Sequence, residues 1–178
     1  AAAPTEEAAA PEPVAEEVTL SEVEHQFYND VTNVVREYCI REDLPTGFLY
    51  TTPQMQMASS MPAALRSWRD RGKVDTQVLY EGLGVVEEED RAPLIEEIVG
   101  HLHKLVDLDS LWQNDSKFKR LAKMLRSYLK EHPSEKIVLF AYFRATLDYL
   151  HERLSDQGIS SIVLKGGEDK QEVIKQFS

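Results

Sequence analysis

The stretch KIVLFAYFRATLDYL at residues 136–150 decides the predicted fold, because its apolar pattern changes from a continuous run to helical spacing. Residues 137–142 form an apolar run that is too short for a buried helix and is typical of a strand buried on both faces. Leu147, Leu150 and Leu154 then recur at helical spacing up to Gly158. The stretch therefore predicts a strand followed by a helix.

The segment after Gly158 repeats this order. Residues 159–164 predict a second strand, Gly166 and Gly167 end it, and residues 173–177 suggest another helix. Strand, helix, strand and helix with short loops predict a parallel α/β unit with a right-handed crossover. A parallel sheet needs both faces covered, and two strands cannot achieve that. We therefore expect a sheet that is incomplete within this chain or is finished by something else.

The region before residue 136 predicts helices. Ser21 and Glu24 form a capping box, and the helix that follows should end near Arg41. A second helix is expected from Pro53 to Trp68 with an interruption near Pro62, and a third over roughly 92–106. Asp115 or Ser116 should cap a fourth helix that stops before Pro133.

Charge is distributed unevenly along the 178 residues, whose net charge is −11. Residues 1–24 hold seven acids and no Lys or Arg, whereas residues 111–178 hold twelve bases against nine acids. The C-terminal third therefore permits phosphate contact without demanding it. Residues 1–17, rich in Ala, Pro and Glu, predict a flexible linker. The single Cys39 and the lack of a long apolar run favour a cytoplasmic protein without a membrane span.

Several short motifs occur in an order that resembles one family of motor proteins. In the C-terminal third these are DSK at 115–117, VLFAYF at 138–143, GI at 158–159, GG at 166–167 and IKQF at 174–177. Upstream, EHQFY at 24–28 and ASSMPAAL at 58–65 resemble the helical region that joins two motor domains. Together they resemble bacterial SWI/SNF-like superfamily-two helicases, including relatives that act on RNA polymerase. The resemblance covers about residues 18–178.

The resemblance implies a particular organisation. Residues 1–17 would be a disordered linker, residues 18–110 a helical inter-domain region, and residues 111–178 the start of the second RecA-like domain. The implied fold class is α/β, with a helical region followed by the first part of a parallel RecA-like domain. The intact protein would be an ATP-dependent helicase or translocase that acts on duplex DNA without sequence preference. RNA polymerase or another nucleoprotein would be a further partner.

The motifs that hydrolyse ATP are missing from this sequence. No G-x-x-x-x-G-K-[ST] loop is present, and Gly72-Lys73 has no glycine at the required spacing. The acidic run at 85–90 is better interpreted as a charged loop than as a magnesium-binding strand end. ATP and Mg²⁺ would therefore serve the intact protein, and we expect this chain alone to bind neither and to have no catalytic residues.

The candidate nucleic-acid site lies where the two predicted strands end, because ligands of open α/β sheets bind beyond the carboxyl ends of strands. Arg144 could instead be a solvated residue, Thr146 could simply assist the helix start, and the glycine pair is also common in plain turns. By resemblance this edge faces nucleic acid, and its residues are Tyr142, Arg144, Thr146, Lys165, Gly166 and Gly167.

Two other classes of function compete with the motor fragment. One is a helical protein-interaction module without motor activity. The other, an unrelated α/β enzyme, is disfavoured because no acid/base pair converges in the sequence. No metal site is expected either, because His101 and His103 point to different sides of a helix.

Overall fold

The computed structural model describes residues 14–43, 46–70, 88–102 and 107–166, together with Lys175. Within these ranges the chain forms seven helices and no strand. They are α1 (Glu22–Arg41), α2 (Thr46–Ser59), α3 (Met61–Arg69), α4 (Glu88–Leu102), α5 (Leu108–Gln113), α6 (Ser116–Glu131) and α7 (Arg144–Asp156).

The capping box predicted at the start of α1 is confirmed. The Ser21 hydroxyl accepts from the Glu24 backbone N–H, and the Glu24 carboxylate accepts from the Ser21 backbone N–H at 2.7 Å. These two bonds satisfy backbone donors that a helix start otherwise leaves without partners. The helix ends at Arg41, as the sequence predicts, and its apolar side packs inward.

Ser60 divides the predicted second helix into α2 and α3. Its hydroxyl accepts from the Ala63 N–H at 3.4 Å, and Pro62 occupies the first turn of α3, where a missing N–H costs nothing. The interruption near Pro62 is thus confirmed, but α2 begins at Thr46, before Pro53. Lys117 of α6 donates to the carbonyl oxygens of Ala58 and Ser59 at the end of α2.

Two apolar clusters hold the helices together. The first lies among α1 to α4 and also takes Leu111 of α5. Its largest fully buried members include Phe27, Met57, Leu65 and Ile98. The second cluster lies among α3, α6 and α7, and its buried residues are Ala63, Phe118, Ala122, Leu125, Tyr149 and Leu154.

In the middle of the chain, the observed helices differ from the predicted ones in their first and last residues and in their number. The third helix, expected over 92–106, is observed as α4 over Glu88–Leu102, and residues 103–106 lie outside the described ranges. The sequence did not predict α5, which Asp107 caps by accepting from the Ser110 N–H at 3.2 Å. The cap of α6 at Asp115, and its end before Pro133, are confirmed.

The predicted α/β fold class is wrong for the part of the chain that the structure describes. Residues 137–142 and 159–164 lack regular secondary structure there, and no backbone–backbone hydrogen bond joins them. Side chains that a two-faced buried strand would cover are open, with Phe140 92% and Val138 62% exposed. A parallel RecA-like sheet is therefore not observed, and the helix expected over 173–177 lies largely outside the described residues.

Glu24 also joins α1 to α6, although its side chain is only 2% exposed. Its Oε1 accepts from the Ser116 N–H at 3.0 Å, and its Oε2 accepts from the Ser116 hydroxyl at 2.6 Å. Burial alone would raise the pKa of the Glu24 carboxyl, but the hydrogen bonds from Ser116 and Ser21 outweigh it and lower the pKa. The carboxylate thus stabilises the first turns of two helices at once.

We expect Glu24→Gln to lower the free energy of unfolding by about 1–3 kcal/mol, because its amide NH₂ must face at least one N–H donor in the buried site. Urea unfolding at neutral pH measures the change. Glu22→Gln, an exposed substitution in the same helical turn, is the matched control and should change it by less than about 0.5 kcal/mol.

A comparison of wild type with Glu24→Gln at different pH values tests whether the Glu24 carboxyl is charged. A lowered pKa means that the unfolded chain takes up the proton first, so the stabilisation is present above the ordinary pKa of 4.5 and is lost as pH falls through the folded value. Wild type should therefore lose stability faster than Glu24→Gln as the pH falls below 4.5. Parallel losses in the two proteins would contradict a buried, ionised carboxylate.

Candidate nucleic-acid interface

The N-terminus of α7 lacks a side-chain cap. Phe143 occupies the cap position with φ −96° and ψ 131°, and its side chain makes no capping hydrogen bond. By contrast, Ser21, Ser60 and Asp115 each cap their helices with an oxygen. The first N–H groups of α7 therefore add partial positive charge to this end of the helix.

Two cationic side chains lie beside this helix end. Arg144 Nη2 donates to the Gly166 carbonyl oxygen at 3.1 Å, which joins α7 to the end of the 159–165 segment. Lys165 Nζ lies 2.6 Å from Asp148 Oδ1, and both side chains of this ion pair remain partly exposed. Arg144, Lys165 and Gly166 thus form a corner with the start of α7, which we call the α7 corner.

Gly166 is not required by the fold at its position. A Cβ added there would lie 3.8 Å from Arg144 Nη2, which is an ordinary contact distance. An alanine would therefore fit in the structure as it stands. The absence of a side chain leaves the backbone at this corner more accessible to a ligand than any other residue type would.

The other predicted site residues have different environments. Tyr142 is 50% exposed, and its ring packs edge-on against Phe143 with centroids 5.1 Å apart. Thr146 is buried, and its hydroxyl lies 2.9 Å from the Ser59 hydroxyl at the end of α2. Thr146 therefore joins two helices instead of facing a ligand. Gly167 lies outside the described residues.

Sequence reasoning missed a buried polar cluster behind the corner. Asp115 caps α6 through Oδ1, and its Oδ2 accepts from the Tyr149 hydroxyl at 2.6 Å. Burial, followed by the charge of Asp115, raises the pKa of the Tyr149 phenol, so the hydroxyl keeps its proton and donates a hydrogen bond to Asp115. This bond joins the start of α6 to the middle of α7.

Arg153 completes the cluster. Its Nη1 donates to the Trp112 carbonyl oxygen at 2.6 Å, and its guanidinium lies 4.3 Å from the Phe118 ring centroid. The Trp112 and Tyr149 rings lie at 5.1 and 5.7 Å from the same group. Ring faces stabilise a cation, so three aromatic rings offset part of the cost of burying this charge.

A signal for this cluster is present in the sequence. Thr146, Tyr149 and Arg153 are spaced three and four residues apart, so they share one helix face, where an arginine among apolar neighbours is unusual. The identity of its partners is not local, because Trp112, Asp115 and Phe118 precede the first residue of α7, Arg144, by 32, 29 and 26 residues. The pattern could therefore indicate a buried arginine without showing what surrounds it.

The described residues show neither a metal site nor a membrane span. Within those ranges, no three His, Cys, Asp or Glu side chains gather closely enough to hold a metal ion. No helix there combines the length and apolar character that crossing a bilayer requires. No protein-family model, curated protein or solved structure matches the chain.

Tyr149→Phe should destabilise the chain by about 1–3 kcal/mol, because it leaves the buried Asp115 Oδ2 without its donor. Tyr128→Phe is the matched control, since it removes a hydroxyl that bonds Glu135 at an exposed position. That substitution should cost less than about 0.5 kcal/mol. If both variants lowered the free energy of unfolding in urea by the same amount, the buried Tyr149–Asp115 hydrogen bond would stabilise the chain no more than the exposed Tyr128–Glu135 bond.

Proposed function

We propose that this chain is a non-catalytic part of an ATP-dependent DNA helicase or translocase of the SWI/SNF-like group and contacts duplex DNA through the α7 corner. The order of motifs from DSK at 115–117 to IKQF at 174–177 supports the family. The observation that carries the proposal is the convergence of Arg144, Lys165 and Gly166 at the start of α7.

The chemistry of the corner suits phosphate better than bases. Backbone N–H groups at a helix start and an arginine side chain are both frequent donors to phosphate oxygens. Asp148 offsets one of the two positive charges, but exposed ion pairs contribute only about 0–1 kcal/mol and exchange readily. Lys165 can therefore release Asp148 and bind a phosphate oxygen in its place. Contacts to phosphate carry no sequence information.

The proposed role also includes mechanical coupling. Thr146 of α7 bonds Ser59 of α2, and Glu152 of α7 pairs with Arg66 of α3 at 2.6 Å. A displacement of the α7 corner would therefore be transmitted through these contacts and the second apolar cluster to α2 and α3. ATP and Mg²⁺ would bind elsewhere in the intact cytoplasmic protein, and RNA polymerase or another nucleoprotein would be a further partner.

A helical protein-interaction module is the second candidate function. The observation in its favour is the exposure of apolar residues in the 137–142 segment, above all Phe140 and Val138. Large exposed apolar side chains that lie close together often mark a protein contact. A protein-interaction module does not need to bind nucleic acid, so a measurement of duplex binding distinguishes it from the motor fragment.

The corner makes a specific prediction about duplex binding. Arg144→Gln and Lys165→Gln should each weaken binding equally for all duplex sequences and lower the slope of log K against log salt by about 0.9. Asp148→Asn should strengthen binding, because it removes the anion that competes with phosphate for Lys165. Fluorescence anisotropy of a short labelled duplex over a salt series measures both quantities.

Arg36→Gln controls for the loss of one positive charge, since Arg36 is exposed on α1. It should leave the slope unchanged. The proposal fails if the corner variants match this control, or if Asp148→Asn weakens binding.

A further inference from the structure

Helix α6 carries a concentration of positive charge that contrasts with the acidic chain. Its sixteen residues hold six Lys or Arg and one acid, Glu131, whereas the whole chain has a net charge of −11. Four of the six basic residues are spaced at i, i+4, i+7 and i+11, which places them on one stripe of the helix. We call these residues the α6 stripe: Lys119, Lys123, Arg126 and Lys130.

We propose that the α6 stripe is a second phosphate-binding surface, which contacts the backbone of duplex nucleic acid alongside the α7 corner. The choice of a nucleic acid as the anion rests on the proposed function. The existence of an anion-binding stripe rests on the geometry and charge of α6 alone.

The stripe cations are not neutralised by acids in the described part of the chain. Lys119, Lys123 and Lys130 are exposed, and no carboxylate of the described residues forms an ion pair with them. Arg126 donates to the Gln157 amide oxygen, a neutral partner that leaves its charge intact. The remaining basic residues of α6 are already engaged, since Arg120 pairs with Glu16 and Lys117 bonds the end of α2.

The dimensions of the stripe suit a duplex. At a rise of 1.5 Å per residue, positions 119 to 130 span about 16 Å. Duplex DNA carries one phosphate charge per about 1.7 Å of its axis when both strands are counted, so this length of duplex holds roughly ten phosphates, of which one side of the helix meets a part. A straight and rigid row of cations can therefore meet several of them without ordering a flexible segment first.

Two other anionic partners fit less well. A membrane surface binds amphipathic helices through an apolar face, but the apolar face of α6 is buried through Phe118, Ala122 and Leu125. An acidic peptide would gain specificity from pockets for its side chains, and the stripe itself contains only Lys and Arg. A uniform phosphate backbone needs no such pockets.

The position of the stripe supports joint action with the corner. Lys117, at the start of α6, lies 3.3 Å from the Ser59 carbonyl oxygen, and the Ser59 hydroxyl lies 2.9 Å from that of Thr146 in α7. The N-terminal ends of α6 and α7 therefore converge at the end of α2. A duplex at the α7 corner would therefore lie near the N-terminal end of α6.

The test is a salt titration of duplex binding by the full chain. Replacing Lys119, Lys123 and Lys130 together with Gln should lower the slope of log K against log salt by roughly 2.7, at about 0.9 per lost contact. The same three positions changed to Arg should keep the wild-type slope, because the charge remains. Lys123→Gln alone should lower the slope by about 0.9, whereas Arg36→Gln should not.

The outcomes separate this inference from the proposed function. If the triple Gln variant keeps the wild-type slope while Arg144→Gln lowers it, the stripe inference is wrong and the corner stands. If wild type binds vesicles of phosphatidylserine and phosphatidylcholine but no duplex, both proposals are overturned. If the triple Arg variant lowers the slope of log K against log salt as much as the triple Gln variant does, the substitutions act by disturbing the fold and not by removing charge. The inference then also fails.

Discussion

Two buried carboxylates at the N-terminal end of α6 hold the described structure together. Glu24 accepts hydrogen bonds from the starts of α1 and α6, and Asp115 accepts them from α6 and from Tyr149 of α7. A buried carboxylate without partners would be costly, so each is stable only while the helices it joins stay in place. Glu24 therefore joins α1, which lies in the first apolar cluster, to α6 of the second cluster, and Asp115 joins α6 to α7.

The packing of α6 and α7 also determines which basic side chains lie at the surface. With their apolar faces buried in the second cluster, α6 and α7 expose the α6 stripe and the α7 corner on a chain that is acidic overall. Charges beyond about 8–10 Å are largely screened at physiological salt, so a local basic surface can act despite a net charge of −11. The proposed phosphate binding would therefore depend on how the cations are arranged and not on their number.

The sequence predicts those parts of the structure that depend on neighbouring residues. The Ser21–Glu24 capping box and the Asp115 cap each involve residues three apart, and both are confirmed. A strand depends on a partner that the apolar run at 137–142 cannot specify, and no such partner is present in the described ranges. The convergence of Arg144 and Gly166 was expected from strand ends and is observed without strands. The buried Arg153 and the Asp148–Lys165 pair were missed, because each depends on contacts distant in sequence.

The two proposals together place one nucleic-acid backbone against both the α7 corner and the α6 stripe. Lysine labelling by reductive methylation, read by mass spectrometry with and without a short duplex at low salt, tests this placement most directly. We expect the duplex to protect Lys119, Lys123, Lys130 and Lys165 from methylation. Equal labelling of these four lysines in the presence and absence of a saturating duplex would contradict this placement.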